Sequence, residues 1–377
     1  MKKLLAMLMA AAMTLSLVAC GGSAGGAEDT APQEGTAASE DGTYELALIT
    51  DVGTIDDKSF NQGSWEGLKK FAEEAGISHK YYKPVEKSTD SYLASIELAV
   101  KGGAKLIVTP GFLYEEPIFI AQEQYPDVKF VLIDGTPNNG TEFKIADNTV
   151  SITYAEEQAG FLAGYAAVKE GYTKLGFMGG MAVPAVVRFG YGFVQGAEAA
   201  AAELGISEVQ MNYHYTGGFS ATPEAQTLAA SWYQNGTEVI FACGGAVGNS
   251  VMAAAAQSNG KVIGVDVDQS SESETVITSA MKGIQASVYD VVKKYSEGQF
   301  PGGQALVFSA ENNGVALPNE TSKLTNFTQD DYNAVFNALA SDENGIASSM
   351  IKDADKDGNP ISLSDIPVSI VKLTEIK

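Results

Sequence analysis

The stretch that decides the fold reads Tyr44-Glu45-Leu46-Ala47-Leu48-Ile49-Thr50-Asp51-Val52-Gly53-Thr54-Ile55-Asp56-Asp57-Lys58-Ser59-Phe60-Asn61-Gln62-Gly63. Residues 44–50 form a compact apolar run of strand length. From Phe60 the apolar positions change to helical spacing, which continues to Gly76. A strand, a short polar turn and a helix make the unit from which parallel sheets are built. Asp57 or Ser59 is placed to cap the helix by accepting from its exposed N–H groups. Phe60 admits two readings. It is a hydrophobic staple packed into the lobe core, or an aromatic platform at the edge of the sheet where a planar ligand can stack.

The unit recurs down the chain. Strands are expected at 80–83, 106–109, 130–134, 150–154, 175–178, 209–215, 239–242 and 262–266. Helices are expected at 91–100, 117–124, 156–168, 187–204, 224–234 and 250–256. Continuous apolar strands alternating with amphipathic helices imply parallel sheets covered on both faces. A seam near 148–155 divides the pattern into two series. The expected fold is therefore α/β, with two doubly wound parallel-sheet lobes joined by a hinge. Residues 43–150 form the first lobe, 151–282 the second, and 283–377 are shared between them. Hinge crossings are expected near 148–154 and after Val267. The chain beyond about residue 300 either adds strands to both lobes or docks a partner. Ligands of open parallel sheets sit beyond the carboxyl ends of the strands. Asp51, Asp134, Gly244, Gly245 and Asp266 fall there, although glycines at such places also serve as ordinary turn punctuation.

The amino terminus has its own logic. Lys2 and Lys3 precede an apolar run over 4–19 that is too short for a comfortable membrane span and ends at Leu17-Val18-Ala19-Cys20. Leu-x-Ala-Cys resembles the bacterial lipobox, which makes 1–19 a signal peptide and Cys20 the lipidated first residue of the mature chain. The Gly-, Ala-, Ser- and Glu-rich stretch that follows Cys20, up to 42, lacks the large apolar side chains needed to order itself. It reads as a flexible tether. The other cysteine, Cys243, lies in the apolar run Val239-Ile240-Phe241-Ala242 and reads as a small core hydrophobe, so no disulfide is expected in the mature chain.

Composition narrows the function. Forty-seven acidic against 24 basic residues give a formal net charge of −23, which disfavours phosphate backbones and hence nucleic acid. With only His79 and His214 in the chain, histidine metal clusters are excluded and histidine acid–base chemistry has few candidates. Asp353-Ala354-Asp355-Lys356-Asp357-Gly358 copies the start of a calcium loop, but Ser364 stands where the bidentate Glu belongs, so an Asp-Gly turn is the better reading. The Gly-Gly pairs at 179–180 and 244–245 lack the Lys-Ser/Thr of a phosphate loop. No cofactor and no metal are expected.

The loop Asp51-x-Gly53-x-x-Asp56-Asp57-Lys58-Ser59-Phe60-Asn61-Gln62 resembles the signature of the basic-membrane-protein family of nucleoside-binding lipoproteins, substrate-binding components of ABC transporters. The resemblance runs from the lipobox to roughly Tyr295. It takes in the strand end at Asp134, Asn148, Glu156-Glu157-Gln158-Ala159-Gly160-Phe161-Leu162-Ala163-Gly164, Phe177-Met178-Gly179-Gly180 and Arg188-Phe189-x-x-Gly192-Phe193-x-x-Gly196. Gly264-Val265-Asp266-x-Asp268-Gln269 and Thr278-Ser279-Ala280-Met281-Lys282 complete it. It implies a type I periplasmic-binding-protein-like fold and a nucleoside, with purine favoured, captured between the lobes for an ABC transporter permease. It also implies anchoring to the outer face of the cell membrane through the lipid on Cys20, and a monomer. Phe60 would stack on one face of the base and Phe219, or else Phe189, on the other. Asp51 and Asp134 would accept from base N–H groups, beside Asn61 of the same signature. Asp266 would accept from the ribose hydroxyls, Lys282 would donate to a ribose oxygen, and the Gly244 or Gly245 N–H would approach closely. A sugar or signalling-molecule receptor on the same scaffold is the alternative, and a surface nucleoside hydrolase a more distant one.

Overall fold

The computed structural model describes residues 42–377. The signal segment, Cys20 and the tether up to 41 lie outside the described residues. The first series is β1 (Leu46–Ile49), α1 (Phe60–Ala75), β2 (His79–Tyr82), α2 (Thr89–Lys101), β3 (Leu106–Pro110), α3 (Glu115–Gln124), β4 (Lys129–Ile133) and β5 (Thr149–Tyr154). The second runs α4 (Glu156–Glu170), β6 (Lys174–Gly179), α5 (Pro184–Leu204), β7 (Val209–Tyr215), α6 (Pro223–Gln234), β8 (Val239–Cys243), α7 (Val247–Ser258), β9 (Lys261–Asp266) and β10 (Val276–Lys282). Then follow α8 (Ile284–Ser296), β11 (Ala305–Phe308), β12 (Val315–Ala316), α9 (Gln329–Ala340) and β13 (Val371–Glu375).

Two sheets result. The first has the order β11-β5-β4-β3-β1-β2 and the second β12-β10-β9-β8-β6-β7-β13. All pairings are parallel except β10 with β12. Strands β1–β5 and β6–β10 thus share one doubly wound order, 2-1-3-4-5, so the two halves are architectural cousins. This order reverses direction at β1/β3 in one lobe and β6/β8 in the other, which opens a crevice at the strand ends of each. Alternate strand residues face opposite helix layers. Ala47, Ile49, Ile107 and Phe130 pack with α2 and α3, while Leu46, Leu48, Val108 and Val131 face α1.

Three corrections to the sequence reading follow from pairing. The boundary placed between 150 and 151 falls inside β5, and β5 belongs to the first sheet, where Val131 and Ile133 of β4 pair with Val150 and Ile152. The chain crosses only after Tyr154. The second crossing is not after Val267, because β10 still pairs with β9; it comes at Gly283, after which α8 packs on α1. A third crossing, at 309–314, carries the chain from β11 back to β12. The tail does add strands to both lobes: β11 to the first sheet, β12 and β13 to the second. The Asp-rich segment makes a turn in which the Asp355 carboxylate accepts from the N–H groups of Asp357 and Asn359, closed by a bridge between Ala354 and Pro360.

Helices α4 and α5 meet backbone to backbone. A Cβ at Gly160 would lie 2.1 Å from the Phe189 carbonyl oxygen, and one at Gly192 would lie 2.0 Å from that of Glu157. Gly164 and Gly196 repeat the arrangement one turn further on. The glycines quoted in both motifs are therefore the contact surface that sets Phe189 and Glu156 in place. Gly192→Ala is expected to destabilise by about 1–3 kcal/mol through overpacking, read from the urea midpoint, whereas Gly205→Ala would act through its left-handed backbone (φ 67°) alone.

Candidate functional site

The nine residues Asp51, Phe60, Asn61, Asp134, Phe189, Phe219, Gly244, Asp266 and Lys282 all line one cavity at the carboxyl ends of the two sheets. Asp51 follows β1 and Asp134 follows β4. In the second lobe Gly244 follows β8, Asp266 ends β9 and Lys282 ends β10. Asp134 (φ 58°) and Asp266 (φ 68°) both have left-handed backbones, an uncommon conformation for residues other than glycine. They occupy matching places in the two lobes, so the same local turn aims a carboxylate at the cavity from each side.

Asp57 resolves the capping question. Its carboxylate accepts from the N–H groups of Ser59 (2.9 Å), Asn61 (3.0 Å) and Gln62 (3.1 Å), serving the first turn of α1. Ser59 is thereby free of capping, and its hydroxyl donates instead to Asp266 of the other lobe at 2.5 Å. Asn61 is held at both ends: its Nδ2 donates to Asp51 and Asp57, and its Oδ1 accepts from the Asp51 N–H. That clamp fixes Asp51, whose Oδ1 also accepts from Gly53 N–H at 2.6 Å.

Lys282 joins the lobes. Its Nζ lies 2.5 Å from Asp134 of the first lobe, 3.4 Å from Asp266 and 3.6 Å from Glu156. The same ammonium stands 4.5 Å from the Phe60 ring centre and 5.5 Å from that of Phe189. Burial opposes its charge, but Asp134, Asp266 and Glu156 outweigh that and hold its pKa above the ordinary lysine value. Burial also pushes Asp51 up to about 6 against its hydrogen bonds, and Asp134 up to about 6 against Lys282. Asp266 is likewise raised by burial, with Lys282 and Ser59 opposing. The Oδ1 of Asp134 is buried and has no hydrogen-bond partner, an acceptor directed at nothing in the protein.

These shifts fix a sign. A carboxyl whose folded pKa lies above its unfolded value of 3.8 adds stability at low pH, and that stability is lost as pH rises through about 6. Ligand-free protein should therefore lose stability between about pH 4 and pH 6.5 on account of Asp51, and Asp51→Asn should flatten that part of the curve. A Tm-versus-pH series on both proteins checks it; parallel curves would be the contrary result.

Three features escaped the sequence reading. Asp57 and Phe112 also line the cavity, as does Cys243, which is a core residue at the same time. Glu156, read as a helix start and quoted for its motif, is buried against Lys282. Arg188, quoted for its motif, lies 3.4 Å from Glu156. An acidic pair ahead of an apolar helix was the one available hint of a buried charge. Among the described residues no group of His, Cys, Asp and Glu is arranged to hold a metal, and no helix is long and apolar enough to cross a membrane.

Two parallel α/β lobes with an acid- and aromatic-lined cavity between their strand ends make a type I periplasmic-binding-protein-like fold. A crystal structure of an ABC transporter solute-binding protein from Aeropyrum pernix K1 is similar over 81% of this chain and 87% of that one, with a TM-score of 0.66 and 26% identity. An arabinose-binding protein from Geobacillus stearothermophilus shares the fold alone, at 14% identity and a TM-score of 0.52. The family model described as ABC transporter substrate-binding protein PnrA-like matches residues 44–348, and the chain belongs to this Bmp family. It is 32% identical over 305 residues to the ABC transporter nucleoside-binding protein BmpA of Lactococcus lactis, covering 74% of this chain and 83% of that protein. It is 31% identical over 301 residues to basic membrane protein D of Borreliella burgdorferi, covering 77% and 84%. The protein is thus an ABC-transporter substrate-binding protein with a small-molecule ligand and a transporter partner.

Proposed function

We propose that this protein captures a nucleoside, with purine favoured, in the interlobe cavity and delivers it to an ABC permease. The observation that carries the reading is the pairing of Phe60 from one lobe with Phe189 and Phe219 from the other around a cavity walled by Asp51, Asp134 and Asp266. Aromatic faces on both sides suit a planar base. Ionised carboxylates are acceptor-only, so they suit the donors of a base edge and a vicinal diol. The relative from Lactococcus lactis carries nucleoside binding in its name, which supports the same choice. Phe189 is fully buried and packs edge-on against Phe241, whereas Phe219 is partly buried; the second face of the base therefore goes to Phe219, with Phe189 closing the floor.

Titration calorimetry with adenosine, guanosine, inosine, uridine and cytidine tests the reading on protein freed of ligand by unfolding and refolding. A nucleoside heat absent for D-ribose is expected; no heat with any nucleoside would overturn it. Anchoring through Cys20 is part of the same proposal and rests on the lipobox. Cys20→Ser should abolish palmitate labelling and release the protein from the membrane fraction, and retained labelling would refute the anchor.

A further inference from the structure

The segment that follows residue 348, where the family match ends, runs along one stripe of α5. Ile351 exchanges two hydrogen bonds with the Gln195 amide, donating to Oε1 at 2.8 Å and accepting from Nε2 at 2.9 Å. Tyr191 donates its hydroxyl to the Ile361 carbonyl at 2.7 Å. Arg188 Nε lies 3.2 Å from Asp353 Oδ1. Arg188, Tyr191 and Gln195 are three and four residues apart and so share a helix face. The Asp-rich turn around Asp355 reverses the chain, so residues on both sides of it reach this one stripe. None of these tail residues lines the cavity.

Beneath the strap lies an unusual carboxylate. Glu156 is fully buried, and neither of its oxygens has a hydrogen bond. Two cations attend it: Arg188 at 3.4 Å on one oxygen and Lys282 at 3.6 Å on the other. A buried carboxylate is tolerated only where such charges offset its desolvation. Lys282 is at the same time the counter-charge of Asp134 and Asp266 in the cavity wall. Next to Glu156, Glu157 is buried with Lys352 of the tail 3.0 Å away, so the strap carries charge to this corner twice.

We propose that Arg188, fixed by Asp353 of the tail, is a positioning residue of the ligand site that neutralises Glu156 and so keeps Lys282 committed to Asp134 and Asp266. Without Arg188, Lys282 is the one cation left within 4 Å of Glu156 among the described residues. Coulomb attraction in this dry corner then draws the ammonium toward Glu156 and away from the two cavity carboxylates. Those carboxylates would meet a ligand with altered charge and geometry, although no atom touching the ligand had been changed. The tail thus sets affinity from behind the site.

The affinity arm of the test rests on the nucleoside reading; the stability arm needs no ligand. The full chain is compared as wild type, Arg188→Met, Arg188→Lys, Asp353→Asn, Glu156→Gln and the Arg188→Met/Glu156→Gln double variant. Arg188→Met should weaken nucleoside binding about tenfold and Asp353→Asn about threefold, with Arg188→Lys recovering part of the loss. With Glu156→Gln in place, Arg188→Met should cost little more in either Kd or thermal midpoint, because the charge it neutralised is gone. Additive midpoints, or an Arg188→Met Kd equal to wild type, would overturn the proposal. If Arg188→Met does not fold, the folded Asp353→Asn variant decides it, and an unchanged Kd there counts against the tail's role. A wild type that binds no nucleoside overturns the functional reading alone, since the midpoint cycle still passes judgement on Arg188.

Discussion

Lys282→Met should lower stability by about 3–5 kcal/mol at neutral pH, the largest effect expected of any single substitution in the cleft. Methionine keeps most of the side-chain volume, so packing is not what is lost. The ammonium is buried and lies within 4 Å of Asp134, Asp266 and Glu156, which come from both lobes. Removing it leaves three buried carboxylates without the cation that joins them. The sign with pH follows. Asp134 and Asp266 already have folded pKa values above 3.8 with the lysine present. Without it they rise further, so the variant gains relative stability as pH falls and loses it as pH rises through the folded values. Urea denaturation at about pH 4.5 and pH 7.5 reads this directly. The deficit should shrink at the lower pH; a deficit equal at both would mean that Lys282 acts through packing and not charge.

Phe60→Ala should weaken nucleoside binding by about 1–3 kcal/mol, between about fivefold and 150-fold, with little loss of folding stability. Phe60 begins α1 and is only partly buried, so its removal opens no deep core cavity. The ring lines the cavity from the first lobe beside Lys282, whose ammonium stands 4.5 Å from the ring centre. Phe60→Leu separates stacking from plain apolar contact: it keeps area and loses the flat face. Binding by Phe60→Leu as tight as wild type would remove the stacking argument, whereas a Kd close to that of Phe60→Ala would support it. The staple reading of Phe60 makes a different forecast, namely a lower Tm with an unchanged Kd.

Much of the candidate site was legible because its residues follow strands. Asp51, Asp134, Gly244 and Asp266 are found by knowing that open parallel sheets bind at their carboxyl ends, and the alternation of apolar strands and amphipathic helices located those ends. Phe60 stood out because a large aromatic at an exposed helix start is out of pattern. The Ser59–Asp266 and Lys282–Asp134 contacts were not legible, since 207 and 148 residues separate the partners along the chain. The role of Arg188 was hidden for the same reason: its partners are Glu156, one helix away, and Asp353, in a tail whose course no local pattern announces.

Two properties of this protein were settled by the order of its residues alone. Periodicity required parallel sheets covered by helices, and the glycines of α4 and α5 were already written at the four-residue spacing that a close helix crossing needs. Both depend on neighbours a few positions apart, where backbone geometry dictates which side chains share a face. Tertiary structure decided the rest. Strand β5 joined the first sheet because Val150 and Ile152 found β4 as their partner, although the sequence series suggested a new lobe. The chain crosses between lobes three times, and the tail reached α5 because Gln195, Tyr191 and Arg188 offered it hydrogen bonds and charge. Such choices are made by long-range pairing energies, which a sequence encodes only through the whole folded chain.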